Sequence, residues 1–301
     1  MASWTELVDE VSNVGTTLDL TRKKYLQELS NVTGRNTIVY YSGWLQKSQP
    51  LQSDTFVVND SDKNAFMAVI YKLDRAKGLD LILHTPGGDI AATESLVDYL
   101  RSMFGENIRA IVPQLAMSAG TMIALACNEI VLGKHSSIGP IDPQIGGRPA
   151  HAILEEFEAA RQDIAASPAN IALWQPIIAK YNPTLIGQCK KAIALSQEIV
   201  KDWLMTGMLK DAPDPEVAAN SVVASLGDPA ISKSHNRHVS ASQAKQMGLK
   251  ILDLESNDEF QSAVLTVHHA CILTLAQTDV VKLVENQNGI SHVSSMEVAH
   301  R

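Results

Sequence analysis

Residues 111–123 read IVPQLAMSAGTMI, and the reading of that stretch decides the fold. Ala110, Ile111 and Val112 form an apolar run of strand type, Pro113 and Gln114 break it, and an apolar helix follows. Ser118 falls at the corner between them, followed by Ala119 and Gly120. The first N–H groups of a helix have no partner within it and carry the positive end of its dipole, so an oxyanion there would be stabilised. A strand-to-helix corner also lifts a side chain clear of the sheet, as in a nucleophile elbow. The plainer alternative is that Ser118 is an N-cap.

Working outward, Leu79–His84 (LDLILH) reads as a buried strand and runs directly into Thr85-Pro86-Gly87-Gly88. Ile90–Phe104 then has helical spacing, with Leu96, Val97, Leu100 and Met103 facing inward, and Glu129–Leu132 (EIVL) is a further strand. Alternating strands and helices predict an α/β fold with a mostly parallel sheet. In such sheets the site lies beyond the carboxyl ends of the strands. TPGG and the Ser118 turn both sit at such ends, so they should meet. Glycines at 87 and 88 let backbone N–H groups approach a ligand. Gly88 (or Gly87) together with Ala119 then supplies two N–H donors for an oxyanion beside Ser118 Oγ.

The stretches HTPGGDIAATESLVDYL (84–100) and VPQLAMSAGTMIALACNEIVLGKHSSIGPIDPQ (112–144) resemble the Clp/crotonase superfamily. Within it they are most similar to the serine dehydrogenase proteinase family, relatives of signal peptide peptidase A. SHNRHVSASQAKQMGLKIL (234–252) resembles the closing segment of that family, and Leu185–Leu204 resembles the helix between. The resemblance implies a spiral of β-β-α units with additional packed helices, a Ser118 nucleophile, an oxyanion hole at Gly87, Gly88 and Ala119, and a homo-oligomer.

It leaves the general base open. The Clp pattern places a His about two dozen residues after the serine, where this chain has Asp142. Conversely, His235 and His238 stand in the closing segment, where the pattern has an Asp. One arrangement is a triad of Ser118, His235 and Asp142; Asp142 could instead be a turn cap beside Pro143. The signal-peptidase pattern uses a Ser–Lys dyad, but no lysine occurs between Lys134 and Lys180. Lys180, just before a helix, is the alternative base of that kind, and His238 is the spare for His235. Lys134 and His135 form a further pair in the turn after EIVL.

Composition bounds the function. With 45% hydrophobic residues in 301, the chain can bury a substantial core. A net charge of −8 argues against a phosphate-tracking nucleic-acid surface. Cys127, Cys189 and Cys271 are scattered, without metal-ligand spacing, and read as buried thiols of a reducing compartment. No apolar run reaches about 18 residues, so no membrane span is expected; no basic-then-apolar leader is seen either. The expectation is a soluble, cytoplasmic protein with no cofactor or metal, acting on a peptide or protein substrate.

The organisation expected is an N-terminal helical segment over 1–35 and a catalytic core over 36–255 with a helical insertion at about 150–226. A C-terminal helix over 256–286 and a flexible polar tail over 287–301 complete it. Three functions compete: a serine peptidase, a crotonase-like enzyme acting on an acyl-CoA, and a non-catalytic scaffold of the same fold. The serine at the elbow favours the first.

Overall fold

The computed structural model describes residues 16–47, 55–227 and 237–296. Its centre is a seven-stranded sheet whose parallel part is made of β1 (Asn36–Ser42), β2 (Leu79–His84), β3 (Ile108–Val112), β5 (Glu129–Leu132) and β10 (Ile251–Asp253). Two strands, β11 (Val280–Asn286) and β12 (Ser291–Ser295), extend it antiparallel beside β1, giving the order β10-β5-β3-β2-β1-β11-β12. Every residue of β1 and β2 is buried. Strands covered on both faces are expected to read as largely apolar runs rather than alternating ones, and LDLILH does so apart from Asp80 and His84.

One face of the sheet carries α1 (Thr17–Thr33) and α10 (Asp258–Gln277), which pack Leu26, Leu29, Val264, Val267 and Cys271 on Val39, Tyr41, Ile82 and Ile111. The other face carries α2 (Ser61–Ile70), α3 (Ile90–Phe104) and α4 (Ala119–Leu125). The one charge inside strand β2, Asp80, is fully buried and held by Arg35 Nε and Arg109 Nη2, each at 2.7 Å. A buried carboxylate without such partners would be costly.

Past the core, a short hairpin of β7 (Gln144–Ile145) and β8 (Arg148–Pro149) turns at Gly146-Gly147. Then come α5 (Ala150–Ala166), α6 (Ile171–Ile178), α7 (Leu185–Thr206) and α8 (Pro215–Gly227). The end of α7 rejoins the core through Ile199, Val200, Trp203 and Leu204. A three-stranded sheet of β4 (Leu115–Ala116), β6 (Ser137–Ile138) and β9 (Val239–Ser240), followed by α9 (Ala241–Gln246), sits at the carboxyl ends of the parallel strands.

Several expectations are corrected. The helix over 256–286 ends at Gln277, and β-branched, alternating VVKLVEN forms β11 instead. The tail over 287–301, expected to be flexible, contains β12, whose polar residues pair with β11 through backbone groups rather than burial. Pro176 lies inside α6 rather than breaking the helix. Between β1 and β2 the chain forms α2 and then a separate 3₁₀ turn at Arg75–Lys77. Of the N-terminal helical segment, residues 1–15 lie outside the described residues.

Candidate active site

Thr85 ties the two corners together. Its N–H donates to the Leu115 carbonyl at 3.2 Å, and its own carbonyl accepts the Met117 N–H at 3.0 Å. The end of β2 is thereby paired to the strand that leads into the serine. A Cβ built on Gly87 would stand 2.7 Å from Ser118 Cβ, 2.7 Å from the Met117 carbonyl and 2.9 Å from Ala119 N. Gly87 also has φ +103°, so two independent constraints require glycine there. On the far side of the elbow, a Cβ on Gly120 would meet Thr85 Cγ2 at 2.5 Å.

Ser118 itself has φ 49° and ψ −115°. A non-glycine residue in that region costs on the order of 1–3 kcal/mol and persists only where its surroundings enforce it. It occupies the N-cap position of α4, but its side chain makes no capping hydrogen bond, which sets aside the plain N-cap reading. Ser118 is half-buried and opens on a cavity of about 640 Å³.

The backbone donors divide cleanly. The Gly87 N–H is directed at Thr85 Oγ1, 3.2 Å away. Its part in the site is therefore the close approach rather than donation. No acceptor among the described residues takes the N–H of Gly88 or of Ala119. Gly88 is clamped by Val58: the Val58 N–H donates to the Gly87 carbonyl at 2.8 Å, and the Asp89 N–H donates to the Val58 carbonyl at 2.9 Å. A Cβ on Gly88 would fall 2.3 Å from Val58 N and O. The role of Val58 was invisible in sequence, because nothing in TFVVND marks a residue that pairs with a distant glycine.

Asp142 is buried and lines the same cavity as Ser118, together with Gly88, Asp89, Met122, Ile141 and Leu195. Its loop is anchored to the elbow, since the Gly139 N–H donates to Thr121 Oγ1 and Thr121 Oγ1 donates to the Ala116 carbonyl, both at 2.8 Å. The Ile141 N–H reaches the Leu226 carbonyl at 3.1 Å. His235 lies outside the described residues. His238 is exposed and does not line the cavity. Lys180 is exposed just past the end of α6. Lys134 and His135 are also exposed. Among the described residues, no His or Lys side chain lines the cavity, and no group of three or more His, Cys, Asp or Glu could hold a metal.

Behind the glycine corner stands a feature the sequence did not announce. His84, the last residue of β2, is fully buried against Tyr41, Trp44 and His268, with ring centroids 5.3, 4.4 and 5.7 Å away. Neither of its ring nitrogens meets a hydrogen-bond partner among the described residues. Burial pulls its pKa down to about 3, and the neighbouring His268 adds to this. His268, which shares a 3.0 Å hydrogen bond with Tyr41 Oη, is lowered to about 4, mainly by burial.

A mostly parallel α/β sheet thus carries a strained serine at a strand-to-helix corner, with a glycine turn against it and two amides that meet no acceptor among the described residues. The sequence profile of the ClpP-like SDH-type serine proteinases matches residues 50–264, and the chain belongs to that family. An uncharacterised protein of Methanocaldococcus jannaschii is 32% identical over 237 residues, covering 78% of this chain and 74% of the relative. A second uncharacterised protein of the same archaeon is 31% identical over 173 residues, 58% of this chain and 51% of the relative. No helix among the described residues is long and apolar enough to cross a membrane.

Proposed function

We propose that the protein is a serine peptidase that hydrolyses peptide bonds through an acyl-enzyme on Ser118. As Oγ attacks the scissile carbonyl, its proton passes to a general base. The tetrahedral oxyanion is held by the Gly88 and Ala119 N–H groups, and the base returns the proton to the leaving amine as the C–N bond breaks. Water repeats the sequence on the ester. In this reading His235 is the base and Asp142 its partner, while Lys180 and His238, both placed away from the cavity, rank behind it. One observation carries the proposal: a strained Ser118 whose hydroxyl caps nothing, facing a cavity beside two amides that meet no acceptor among the described residues.

The occupant of that cavity is a peptide or protein segment. Its walls are largely apolar, with Val57, Pro86, Ile90, Met122, Ile141 and Leu195 among them. A homo-oligomer belongs to the same reading. It is supported by α6, which buries none of its residues and leaves Ile171, Leu173 and Ile177 exposed.

A fluorophosphonate probe tests the chemistry. Labelling is expected on the wild type and lost in Ser118→Ala, with peptidase turnover falling by roughly 10⁴-fold or more. Labelling that survives Ser118→Ala removes the proposal. One observation favours a second reading, a non-catalytic scaffold: the lack of a His or Lys on the cavity wall among the described residues. A wild type that never labels, in an otherwise folded oligomer, would select it.

A further inference from the structure

Lys282, on β11, is a buried cation that the chemistry above leaves without a task. Its Nζ lies 2.9 and 3.1 Å from the two carboxylate oxygens of Asp62, which also accepts the Tyr40 hydroxyl at 2.8 Å and the Asn59 N–H at 3.0 Å. Its third hydrogen bond goes to the Val57 carbonyl at 2.8 Å. A buried ion pair is not needed for packing, since well-fitted apolar residues are often as stable or more so. What the pair does supply is a fixed, charged donor at one backbone carbonyl.

That carbonyl leads to the oxyanion hole. In a trans peptide the C=O and the following N–H point in opposite directions. The Val57 carbonyl shares its plane with the Val58 N–H, which donates to the Gly87 carbonyl at 2.8 Å. The Gly87 carbonyl shares its plane with the Gly88 N–H. An ammonium, two peptide units and an oxyanion donor thus form one hydrogen-bonded line. The Asp89 N–H on the Val58 carbonyl fixes the plane on the other side of Gly88. Hydrogen bonds in series polarise one another, more so in a poorly solvated interior.

We propose that Lys282 is a positioning residue for the peptidase site, orienting and polarising the Gly88 N–H through the Val57–Val58 and Gly87–Gly88 peptide units. The proposal rests on the peptidase reading above. It also assigns a role to a strand beyond residues 50–264, the stretch the family profile matches.

The test is the full chain carrying Asp62→Asn with Lys282→Met, which removes the cation without leaving a lone buried carboxylate. Fluorophosphonate acylation of Ser118 and kcat on a peptide are expected to fall about tenfold with KM changed less than about twofold, a fraction of what losing an oxyanion donor costs. Lys282→Arg, which restores a cation, should recover most of the rate. Independently of any activity, the Val58 amide should exchange its hydrogen roughly five- to tenfold faster relative to other core amides, and the Gly88 amide resonance should shift.

A folded double variant with wild-type acylation and unchanged Val58 and Gly88 amides overturns the proposal. If it does not fold, Asp62→Asn with Lys282→Gln replaces it under the same criteria. A wild type that fails to label while the two amides respond removes the peptidase reading and upholds the hold of Lys282 on the corner.

Discussion

The two ends of the Ser118 cavity are built on opposite principles. At the glycine corner the backbone leaves no spare space: Gly87 presses on Ser118 and Ala119, and Gly88 on Val58. At the helical insertion, α7 lends Ala192 and Leu195 to the cavity wall, while α6, just as apolar in sequence as β2, buries nothing. One region is determined by contacts within the chain. The other offers apolar surface that the chain itself does not cover. The difference teaches that apolarity declares a wish for burial, whereas burial needs a partner in the right place.

Gly88→Ala strikes the determined end hardest. The new Cβ meets backbone atoms of Val58 at 2.3 Å, and backbone cannot rotate away as a side chain can. Destabilisation of about 3 kcal/mol is expected. On the proposed peptidase reading, turnover should fall roughly a hundredfold or more, because the Gly88 N–H must tilt. Thermal melting and turnover on one preparation check this, and an unchanged melting temperature with full activity would show that the corner yields.

The same end should be acid-sensitive. His84 has a folded-state pKa near 3 against 6.5 when exposed, so the unfolded chain binds the proton first. Stability is therefore complete above about pH 6.5 and falls as the pH drops from there toward 3. His268, lowered to about 4, adds to the slope in the same direction. Melting temperature should decline between pH 6.5 and 4, and His84→Phe, which keeps a ring between Tyr41 and Trp44, should flatten that decline. An identical slope in the variant would exclude His84 as its source.

The insertion should respond least in stability. Leu173→Gln with Ile177→Gln replaces exposed apolar side chains, so unfolding free energy should move by about 0.5 kcal/mol or less. Light scattering should nevertheless report a smaller particle if α6 is covered by another copy. Unchanged mass would separate α6 from assembly and leave the contrast between the two ends one of packing alone.

Much of the fold was legible because local signals agreed with tertiary need. LDLILH, the helix over 90–104 and EIVL occur with the bounds expected, since a buried parallel strand and an amphipathic helix have unmistakable patterns. The convergence of TPGG with the serine corner was also legible, from the rule that α/β sites gather at carboxyl strand ends. Beyond Gln277 the local signal misled. Apolar spacing over 260–284 fits a helix, yet β1 presents an open edge that VVKLVEN can pair with, and pairing prevails. Nor could Val58, Asp62 and Lys282 be found, since they are separated by up to 225 residues from the groups they hold.

From the sequence alone came the serine at a strand-to-helix turn, the paired glycines after the preceding strand and the α/β class, because each is a short-range pattern imposed by backbone sterics and hydrophobic periodicity. Only the folded chain decided which amides stay open, that the Ser118 hydroxyl caps nothing, that His84 lies sealed without a hydrogen-bond partner among the described residues, and that a lysine on β11, two strands away from β2, donates to the Val57 carbonyl behind the glycine corner. These depend on which distant groups compete for each donor and acceptor, and that competition is settled by packing in three dimensions.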